Sequence, residues 1–356
     1  MEQKLVGISE IADMANVTRQ AVTNWRVRYD DFPKPVQTLQ SGPVWDEEVI
    51  GQWLKQKEGL APVVISVINL KGGVAKTTTS VAVAEVLAKD FRKHVLLIDL
   101  DPQTNATINL IGEAEWEKRD NAGRTLAQLF RDALRPEEKG KFDVENSIVR
   151  GASKVDGGIA RLDILPSSLQ FIDIQEKLPF VAMQGNYDIN PQEILRKAVA
   201  PVIDRYDYVI IDCPPSLGIV TKNGLRLSTH YLIPTIPDRS STWGIFQIVA
   251  SVGAFSESIN HRIKPLGILA TKVNGQNTLH TEVLQTLRDA KLFAKKDGGT
   301  KQPPLLKEWV YEATATARGV EYESNISTFK QKYGRNADVF VNITREIVEK
   351  CKQPKN

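Results

Sequence analysis

The stretch VVISVINLKGGVAKTTT, residues 63–79, constrains the fold more than any other part of the 356-residue chain. It begins with a run of β-branched apolar residues, passes through a glycine-containing turn and leads into residues 80–89, which have a helix-forming composition. This order predicts a strand, a phosphate-binding loop and a helix. In such a unit the N–H groups of the turn and of the first helical turn point at one spot, where the helix dipole favours an anion.

Lys76 and Thr77 supply the side chains that a phosphate site needs at the start of this helix. We expect Lys76 to place its charge on nucleotide phosphates and the Thr77 hydroxyl to ligate Mg²⁺. The common motif is G-x-x-x-x-G-K-[ST], but Ala75 stands here where that pattern has its second glycine. Because glycine tolerates backbone conformations that strain a residue with a Cβ atom, the departure at Ala75 matters. We expect nucleotide binding to survive it and the rate of hydrolysis to depend on it.

The loop KGGVAKT, residues 71–77, resembles the deviant Walker A motif K-G-G-x-G-K-[ST] of the ParA/MinD family of ATPases. That family carries two lysines in the loop, and the extra lysine corresponds to Lys71. The resemblance implies ATP and Mg²⁺ as cofactors, and a nucleotide-sandwiched homodimer in which Lys71 reaches the partner's phosphates. The predicted nucleotide-binding residues of the loop are Gly72, Gly73, Val74, Ala75, Lys76, Thr77 and Thr78.

Two further apolar strands end in carboxylates, at Asp99 and Asp101 in LLIDLDPQTNAT and at Asp212 in YVIIDCPPS. Ligands of open α/β sheets bind at the C-terminal ends of strands, so we expect these acids at the phosphate site. Asp212 has the form of a Walker B carboxylate near Mg²⁺. The resemblance implies that Asp101 positions or deprotonates the attacking water and that Asp99 supports the Mg²⁺ shell. The predicted metal residues are therefore Thr77, Asp99 and Asp212, and the predicted catalytic residues are Lys71, Lys76 and Asp101.

The remaining apolar segments complete an α/β fold. Further strands are predicted at residues 162–166, 231–238 and 266–274, and further helices at residues 125–134, 191–205, 281–290 and 338–350. Together they predict a doubly wound, mainly parallel sheet of the P-loop NTPase type over residues 64–352. The resemblance implies that loops after the last two strands hold the adenine, with Pro237, Asp238 and Lys272 as candidates.

Residues 1–58 predict a separate DNA-binding domain, joined to the rest by a linker at residues 59–63. Ser9 and Thr18 are expected to cap two short helices that a tight turn joins, and residues 36–45 are expected to form a β-hairpin. These elements resemble winged helix-turn-helix domains of the MerR/AlpA type, in which the second helix enters the major groove. The predicted DNA contacts of this helix are Arg19, Gln20, Thr23, Asn24, Arg26 and Arg28.

The net charge of +3 conceals an uneven distribution of charged residues. Residues 260–356 contain 17 lysines and arginines against 10 aspartates and glutamates, whereas residues 1–60 contain seven against nine. The basic C-terminal quarter fits nonspecific contacts with DNA phosphates, and by counting alone it fits a solvated surface equally well. The predicted nonspecific DNA contacts are Lys330, Lys332, Arg335 and Arg345.

Composition argues against several other classes of protein. The two cysteines, Cys213 and Cys351, lack the spacing of a disulfide framework, a zinc site or the cluster of the related iron-sulfur reductases. No apolar run approaches the roughly 20 residues that span a bilayer, and the N-terminus is not a signal peptide. The C-terminal helix lacks the wide apolar face of a membrane-seeking helix. We therefore expect a cytoplasmic protein that associates with the nucleoid and not with a membrane.

Together these features predict a ParA-type ATPase that segregates plasmid or chromosomal DNA. The resemblance implies an ATP-bound dimer that binds DNA nonspecifically, and a ParB-type centromere-binding partner that stimulates otherwise slow hydrolysis. The N-terminal domain is expected to bind operator DNA and to repress the protein's own operon. Two alternatives stay open: a nucleotide-gated transcriptional regulator with little hydrolysis, which Ala75 favours, and an ATPase that positions a protein assembly.

Overall fold

The computed structural model describes residues 4–15, 17–29, 31–56, 61–135, 138–181, 190–290, 301–312 and 326–352. The chain forms two compact units. The first comprises residues 1–62 together with Val199–Asp207, and the second comprises Val63–Ala198 and Tyr208–Asn356. The predicted division into residues 1–58 and 64–352 did not anticipate the segment Val199–Asp207, and the predicted linker at residues 59–63 lies partly outside the described residues.

The first unit contains a three-stranded antiparallel sheet, helices and a 3₁₀ turn at Ile203–Arg205. In the sheet, β1 (Leu5–Val6) and β2 (Gln37–Leu39) both pair with β3 (Gly42–Asp46). The helices are α1 (Ile8–Ala15), α2 (Arg19–Arg28) and α3 (Glu47–Gln56). The predicted hairpin over residues 36–45 is therefore confirmed as β2 and β3.

Capping residues explain where these helices begin. Thr18 accepts a hydrogen bond at Oγ1 from the N–H of Ala21 (3.1 Å), which confirms its predicted role as the cap of α2. The prediction for Ser9 was wrong, because α1 already begins at Ile8. The three tryptophans Trp25, Trp45 and Trp53 are buried, and they form the centre of a small core.

The second unit is built on a six-stranded parallel sheet. Its strands are β4 (Val63–Val67), β5 (Val95–Asp99), β6 (Leu162–Leu165), β7 (Tyr208–Asp212), β8 (His230–Thr235) and β9 (Lys264–Ala270). The spatial order is β6-β5-β7-β4-β8-β9, so successive strands extend the sheet on both sides of β4. This arrangement confirms the predicted doubly wound α/β fold. β6 and β9 are the two end strands in this order.

The helices of the second unit follow the strands along the chain. They are α4 (Lys76–Lys89), α5 (Asn105–Asn121), α6 (Leu126–Ala133), α7 (Val144–Ser147), α8 (Phe171–Val181), α9 (Ile194–Val199), α10 (Ile219–Leu227), α11 (Arg239–Ser258), α12 (Thr278–Arg288), α13 (Phe329–Tyr333) and α14 (Ala337–Lys352). Among the described residues, no helix has the length and apolar character needed to cross a membrane. The predicted helix over residues 191–205 is shorter than expected, because a residue that precedes proline disfavours helical geometry and Pro201 follows α9 closely.

A buried carboxylate joins α4 to α13. Glu85 accepts hydrogen bonds from Lys332 Nζ (2.7 Å), the Tyr333 hydroxyl (2.9 Å) and Ser153 Oγ (2.6 Å). Burial, together with the neighbouring Glu85, raises the pKa of the Tyr333 hydroxyl well above its usual range. Lys332 is only 4% exposed, so its prediction as a DNA contact was wrong. Its charge is used inside the protein, where an unpaired buried carboxylate would be costly.

The close approach of α10 to the sheet depends on Gly224. A Cβ atom at this position would lie 2.9 Å from Leu100 Cδ1 and 3.2 Å from Ile211 Cγ2, and both of these side chains are fully buried. We therefore expect Gly224→Ala to lower the free energy of unfolding by about 1–3 kcal/mol through overpacking. Urea denaturation measures this change.

Gly253 in α11 provides the matched control for that experiment. It is also a helical glycine, but a Cβ atom there would meet nothing within 4 Å. Gly253→Ala should leave stability unchanged or raise it by up to about 1 kcal/mol, because alanine has the higher helix propensity. Equal effects of the two substitutions would contradict the packing argument.

Candidate nucleotide site

Hydrogen bonds to neighbouring strands and their ends hold the loop between β4 and α4 in place. Asn69 donates from Nδ2 to the carbonyl of Pro234 (2.6 Å), and its Oδ1 accepts from the N–H of Lys71 (2.9 Å). Thr271 Oγ1 donates to the carbonyl of Val74 (3.0 Å). Asn69 therefore fastens the loop to the end of β8.

Ala75 precedes α4 in the left-handed backbone conformation, with φ 63° and ψ 33°. Its carbonyl accepts the helical hydrogen bond from the N–H of Thr79 (3.0 Å), so the conformation is part of the helix start. This region favours glycine, because a Cβ atom crowds the following carbonyl oxygen there. The predicted conflict at Ala75 is thus confirmed, and the loop keeps its shape in spite of it.

Lys76, the first residue of α4, is only 6% exposed. Its Nζ donates to the carbonyl of Lys71 (3.2 Å). Burial lowers the pKa of the Lys76 ammonium group, while the nearby carboxylates of Asp212 and Asp101 act in the opposite direction. Burial removes water from this ammonium group. Negatively charged phosphate oxygens would stabilise it through charge-assisted hydrogen bonds.

Asp212, at the end of β7, fits a hydrated Mg²⁺ ion. Its Oδ1 accepts from Ser80 Oγ (2.8 Å), whereas its Oδ2 is buried and has no hydrogen-bond partner in the described part of the chain. Burial raises the pKa of the Asp212 carboxyl, against the lowering effect of the Thr77 and Ser80 hydroxyls. A carboxylate oxygen and a threonine hydroxyl are the ligand types that Mg²⁺ prefers. The residues present therefore suit the metal that the sequence predicted.

Both carboxylate oxygens of Asp99 accept hydrogen bonds within the chain. Its Oδ1 accepts from the N–H of Asp101 (3.1 Å), and its Oδ2 accepts from the N–H (2.9 Å) and the hydroxyl (2.7 Å) of Thr107. Burial and the nearby Asp212 charge raise the pKa of the Asp99 carboxyl well above its usual range. Both oxygens are thus used to hold the turn after β5. The turn that Asp99 holds presents Asp101, and the role of Asp99 in supporting the Mg²⁺ shell stays a prediction.

A cavity of about 520 Å³ lies beside the start of α4. Its lining includes Gly72, Gly73 and residues 75–78 from the loop and helix, together with Asp101 and Lys272. Val74 is fully buried and does not line it, because its side chain belongs to the packing beneath the loop. Pro237 and Asp238, which are both described, also lie outside its lining. Most of the predicted loop residues are therefore brought together, but two of the three adenine candidates are not.

The sequence analysis missed six residues that line this cavity. Gln103 and Asn105 belong to the DPQTNAT motif and Pro215 to the DCPPS motif, so their motifs held a usable signal. Val310, Tyr311 and Glu312 come from a segment in which no motif was recognised. That segment pairs with the end of β9, through a parallel bridge between Val273 and Tyr311.

Lys71 contacts its own chain in this structure. Its Nζ donates to Asp238 Oδ2 (2.7 Å) and to Ser240 Oγ (3.1 Å). Partial burial raises the pKa of Asp238, but hydrogen bonds from Lys71, Ser240 and Ser241 outweigh this effect and leave it well below its usual range. Asp238 also caps α11 by accepting from the N–H of Ser241 (2.7 Å). Its role here is to hold Lys71 and a helix end, and not to contact the cavity.

Comparison with known proteins agrees with this geometry. A family model for the AAA domain matches residues 63–265, which is more than half of the chain. Sporulation initiation inhibitor protein Soj from Bacillus subtilis is 29% identical over 285 residues, covering 80% of this chain and 97% of Soj. Chromosome partitioning protein ParA from Myxococcus xanthus is 31% identical over 226 residues, covering 63% of this chain and 70% of that protein. The chain belongs to the ParA-type AAA domain family.

A solved structure supports the fold of this ParA-type chain. Cobyrinic acid a,c-diamide synthase from Mycobacterium smegmatis, solved with a bound ATP analog and magnesium, superposes with a TM-score of 0.59 at 22% identity. The match covers 83% of this chain and 98% of the synthase chain. At this level of identity the likeness concerns the fold alone.

The residues predicted to contact DNA in the first unit of the ParA-type chain differ in exposure. Arg19, Gln20 and Arg26 on α2 are exposed, and Thr23 is partly exposed. Asn24 and Arg28 are buried, at 1% and 5% exposure. Asn24 Nδ2 donates to the Pro201 carbonyl (3.0 Å), and Arg28 Nε donates to Asp207 Oδ1 (3.2 Å). The predictions for Asn24 and Arg28 do not fit the structure, because these side chains bind the segment Val199–Asp207 of the same unit.

The basic residues predicted to contact DNA near the C-terminus of the ParA-type chain also differ in exposure. Lys330, Arg335 and Arg345 are exposed, whereas Lys332 is buried against Glu85. Arg345 lies on the exposed side of α14, where its guanidinium donates to Asn342 Oδ1 (2.8 Å). Three of the four predicted contacts therefore have side chains that solvent reaches.

The left-handed conformation of Ala75 generates a direct prediction. Ala75→Gly removes the crowded Cβ atom and should raise the free energy of unfolding by about 0.5–1 kcal/mol, after the entropy that glycine adds to the unfolded chain. Thermal unfolding without nucleotide measures this change. Ala75→Val, which places a β-branched side chain at the same φ, should lower stability. An unchanged midpoint for both variants would show that the loop carries no such strain.

Proposed function

We propose that this ParA-type chain is an ATPase of DNA segregation that binds ATP with Mg²⁺ in the cavity beside α4. One observation carries the proposal. The cavity that Lys76, Thr77 and Asp101 line adjoins Asp212, whose buried Oδ2 has no partner among the described residues. A cation for phosphates, a hydroxyl and a carboxylate for Mg²⁺, and a second carboxylate are the groups that phosphoryl transfer to water requires.

Each of these groups has a separate task. The N–H groups at the start of α4 and the Lys76 ammonium group bind the β and γ phosphates and hold them in place. Thr77 and Asp212 would hold Mg²⁺, which when bound neutralises charge on the phosphate oxygens. Asp101 orients the attacking water and accepts its proton. The hydrogen bond from the N–H of Gln103 to Asp101 Oδ1 (3.0 Å) leaves Asp101 Oδ2 for that water.

Lys71 has a task that requires a second copy of the chain. In the proposed ATP-bound homodimer it leaves Asp238 and contacts the partner's phosphates. The Lys71 and Asp238 side chains are 42% and 26% exposed. Solvated pairs of this kind contribute only about 0–1 kcal/mol, so a phosphate group can replace Asp238 at small cost.

The exposed basic residues suggest two separate DNA-binding surfaces. Lys330, Arg335 and Arg345 would bind DNA phosphates without sequence preference and hold the dimer on the nucleoid in the cytoplasm. Arg19, Gln20 and Arg26, with Thr23, would contact operator DNA from α2 and repress the protein's own operon. A ParB-type centromere-binding partner would stimulate hydrolysis and so release the dimer from DNA.

A nucleotide-gated transcriptional regulator is the second candidate function. The observation that favours it is Ala75, which has a left-handed backbone conformation just before α4 and lines the cavity. A regulator needs only to bind nucleotide and to change shape, so it tolerates a loop that hydrolyses slowly.

ATP turnover distinguishes the two candidates. The purified chain should hydrolyse ATP slowly, and turnover should rise several-fold when nonspecific DNA and the DNA-binding protein encoded beside it are both added. Lys76→Ala should abolish nucleotide binding or hydrolysis in every condition. Nucleotide binding without stimulated turnover would contradict the segregation proposal and support the regulator.

Two exposed arginines test the two DNA surfaces against each other. Arg26→Ala should weaken binding to DNA from upstream of the chain's own operon, and it should leave binding to nonspecific DNA nearly unchanged. Arg345→Ala is the matched control and should show the reverse pattern. Gel-shift titrations at one salt concentration measure both affinities. Equal losses of both activities in the Arg26 variant would contradict separate surfaces.

A further inference from the structure

Tyr311 is the aromatic residue in the lining of the nucleotide cavity. Its neighbours Val310 and Glu312 line the cavity too, and we call residues 310–312 the Tyr311 wall. In the proposed complex the phosphate groups of a nucleotide bind to the Lys76 ammonium group and to the N–H groups of residues 72–78. A planar base is therefore left with the aromatic and aliphatic part of the lining, which the Tyr311 wall supplies.

The Tyr311 wall is an extended segment that continues the sheet. Val310 donates from its N–H to the carbonyl of Ala270 (2.9 Å), and its carbonyl accepts from the N–H of Val273 (3.0 Å). The N–H of Glu312 donates to the carbonyl of Val273 (3.2 Å). These bonds occupy one side of the segment and leave the N–H and carbonyl of Tyr311 directed to its other side.

Asn336 satisfies those two groups. Its Oδ1 accepts from the N–H of Tyr311 (3.0 Å), and its Nδ2 donates to the carbonyl of Tyr311 (2.9 Å). Asn336 is fully buried and lies in the 3₁₀ turn Gly334–Asn336, between α13 and α14. One side chain thus makes both of the hydrogen bonds that a neighbouring strand would make.

Arg335, the residue before Asn336, also contacts the Tyr311 wall. Its guanidinium lies 4.8 Å from the centroid of the Tyr311 ring, and it also donates to the carbonyl of Glu312. The cation–π contact and the hydrogen bond together restrain the Tyr311 ring and the backbone that follows it. Arg335 itself does not line the cavity.

We propose that Asn336 and Arg335 are positioning residues for the nucleotide base. They act through Tyr311, by holding its backbone and its ring in the cavity lining. This inference rests on the proposed nucleotide binding and adds the residues that select for the base end of the ligand. The phosphate end is bound by other residues on other elements, so the two ends of the nucleotide can be tested separately.

Inorganic tripolyphosphate with Mg²⁺ is the probe that separates the two ends, because it has the phosphates and lacks the base. Asn336→Ala and Arg335→Ala should each weaken ATP binding by about tenfold, the loss expected for one or two lost contacts. Binding of Mg²⁺-tripolyphosphate, measured by competition with a fluorescent ATP analogue or directly by calorimetry, should change less than about twofold, because its contacts are untouched. A role in folding alone would weaken both ligands together.

Two further variants control for charge and for folding. Arg150→Ala removes an exposed arginine that pairs with Glu145 and does not line the cavity, and it should leave both affinities unchanged. Arg335→Lys keeps the positive charge but loses the guanidinium that contacts both Tyr311 and the Glu312 carbonyl, and it should weaken ATP binding nearly as much as Arg335→Ala. Arg335 is exposed, so its variants should fold and carry the test if Asn336→Ala does not.

The outcomes separate this inference from the function on which it rests. Equal losses for ATP and tripolyphosphate, or unchanged ATP affinity in both Arg335 variants, would overturn the positioning role while the proposed function stands. A wild-type chain that binds neither ligand would overturn the proposed function itself, and the positioning role with it.

Discussion

The parallel pairing of β4, β5 and β7 is the constraint on which the rest of the structure depends. In this register Asp212 stands beside Asp99 on one side and beside Val67 on the other. Parallel strands end at one edge of a sheet. The loop after β4 therefore lies close to Asp101, which follows β5, and to Asp212, which ends β7. The cavity lining, the buried Lys76 and the Asp212 oxygen that finds no hydrogen-bond partner within the described ranges all follow from this one register.

Local sequence predicted much of this arrangement because the signals are local. Five-residue strands such as β4, β5 and β7 are buried on both faces, and each is recognisable from a mostly apolar run without alternation. Lys76, Thr77 and Asp101 follow such strands within a few residues, so their meeting at one site could be inferred without a structure. The strained φ of Ala75 could be inferred as well, because the motif fixes the backbone there.

Predictions failed where a side chain's partner is far away in the sequence. Lys332 and Glu85 lie 247 residues apart, and nothing in the residues around Lys332 distinguishes a buried ion pair from a solvated lysine. Arg28 was assigned to DNA on its type and helix position, but its partner Asp207 is 179 residues away. The Tyr311 wall was missed for the same reason, because its place beside the cavity depends on pairing with the end of β9 and on Asn336.

The segments that flank the parallel sheet also protect it from other chains. Val149 forms an antiparallel bridge with Ile164 on β6, and Leu305 forms a parallel bridge with Ile268 on β9, so both end strands have part of their outer edge covered. Uncovered edges offer N–H and carbonyl groups to which another chain can add a strand. The cover on β9 continues into the Tyr311 wall. A change that detaches this segment would therefore expose an aggregation-prone edge at the same time as it weakens the nucleotide site.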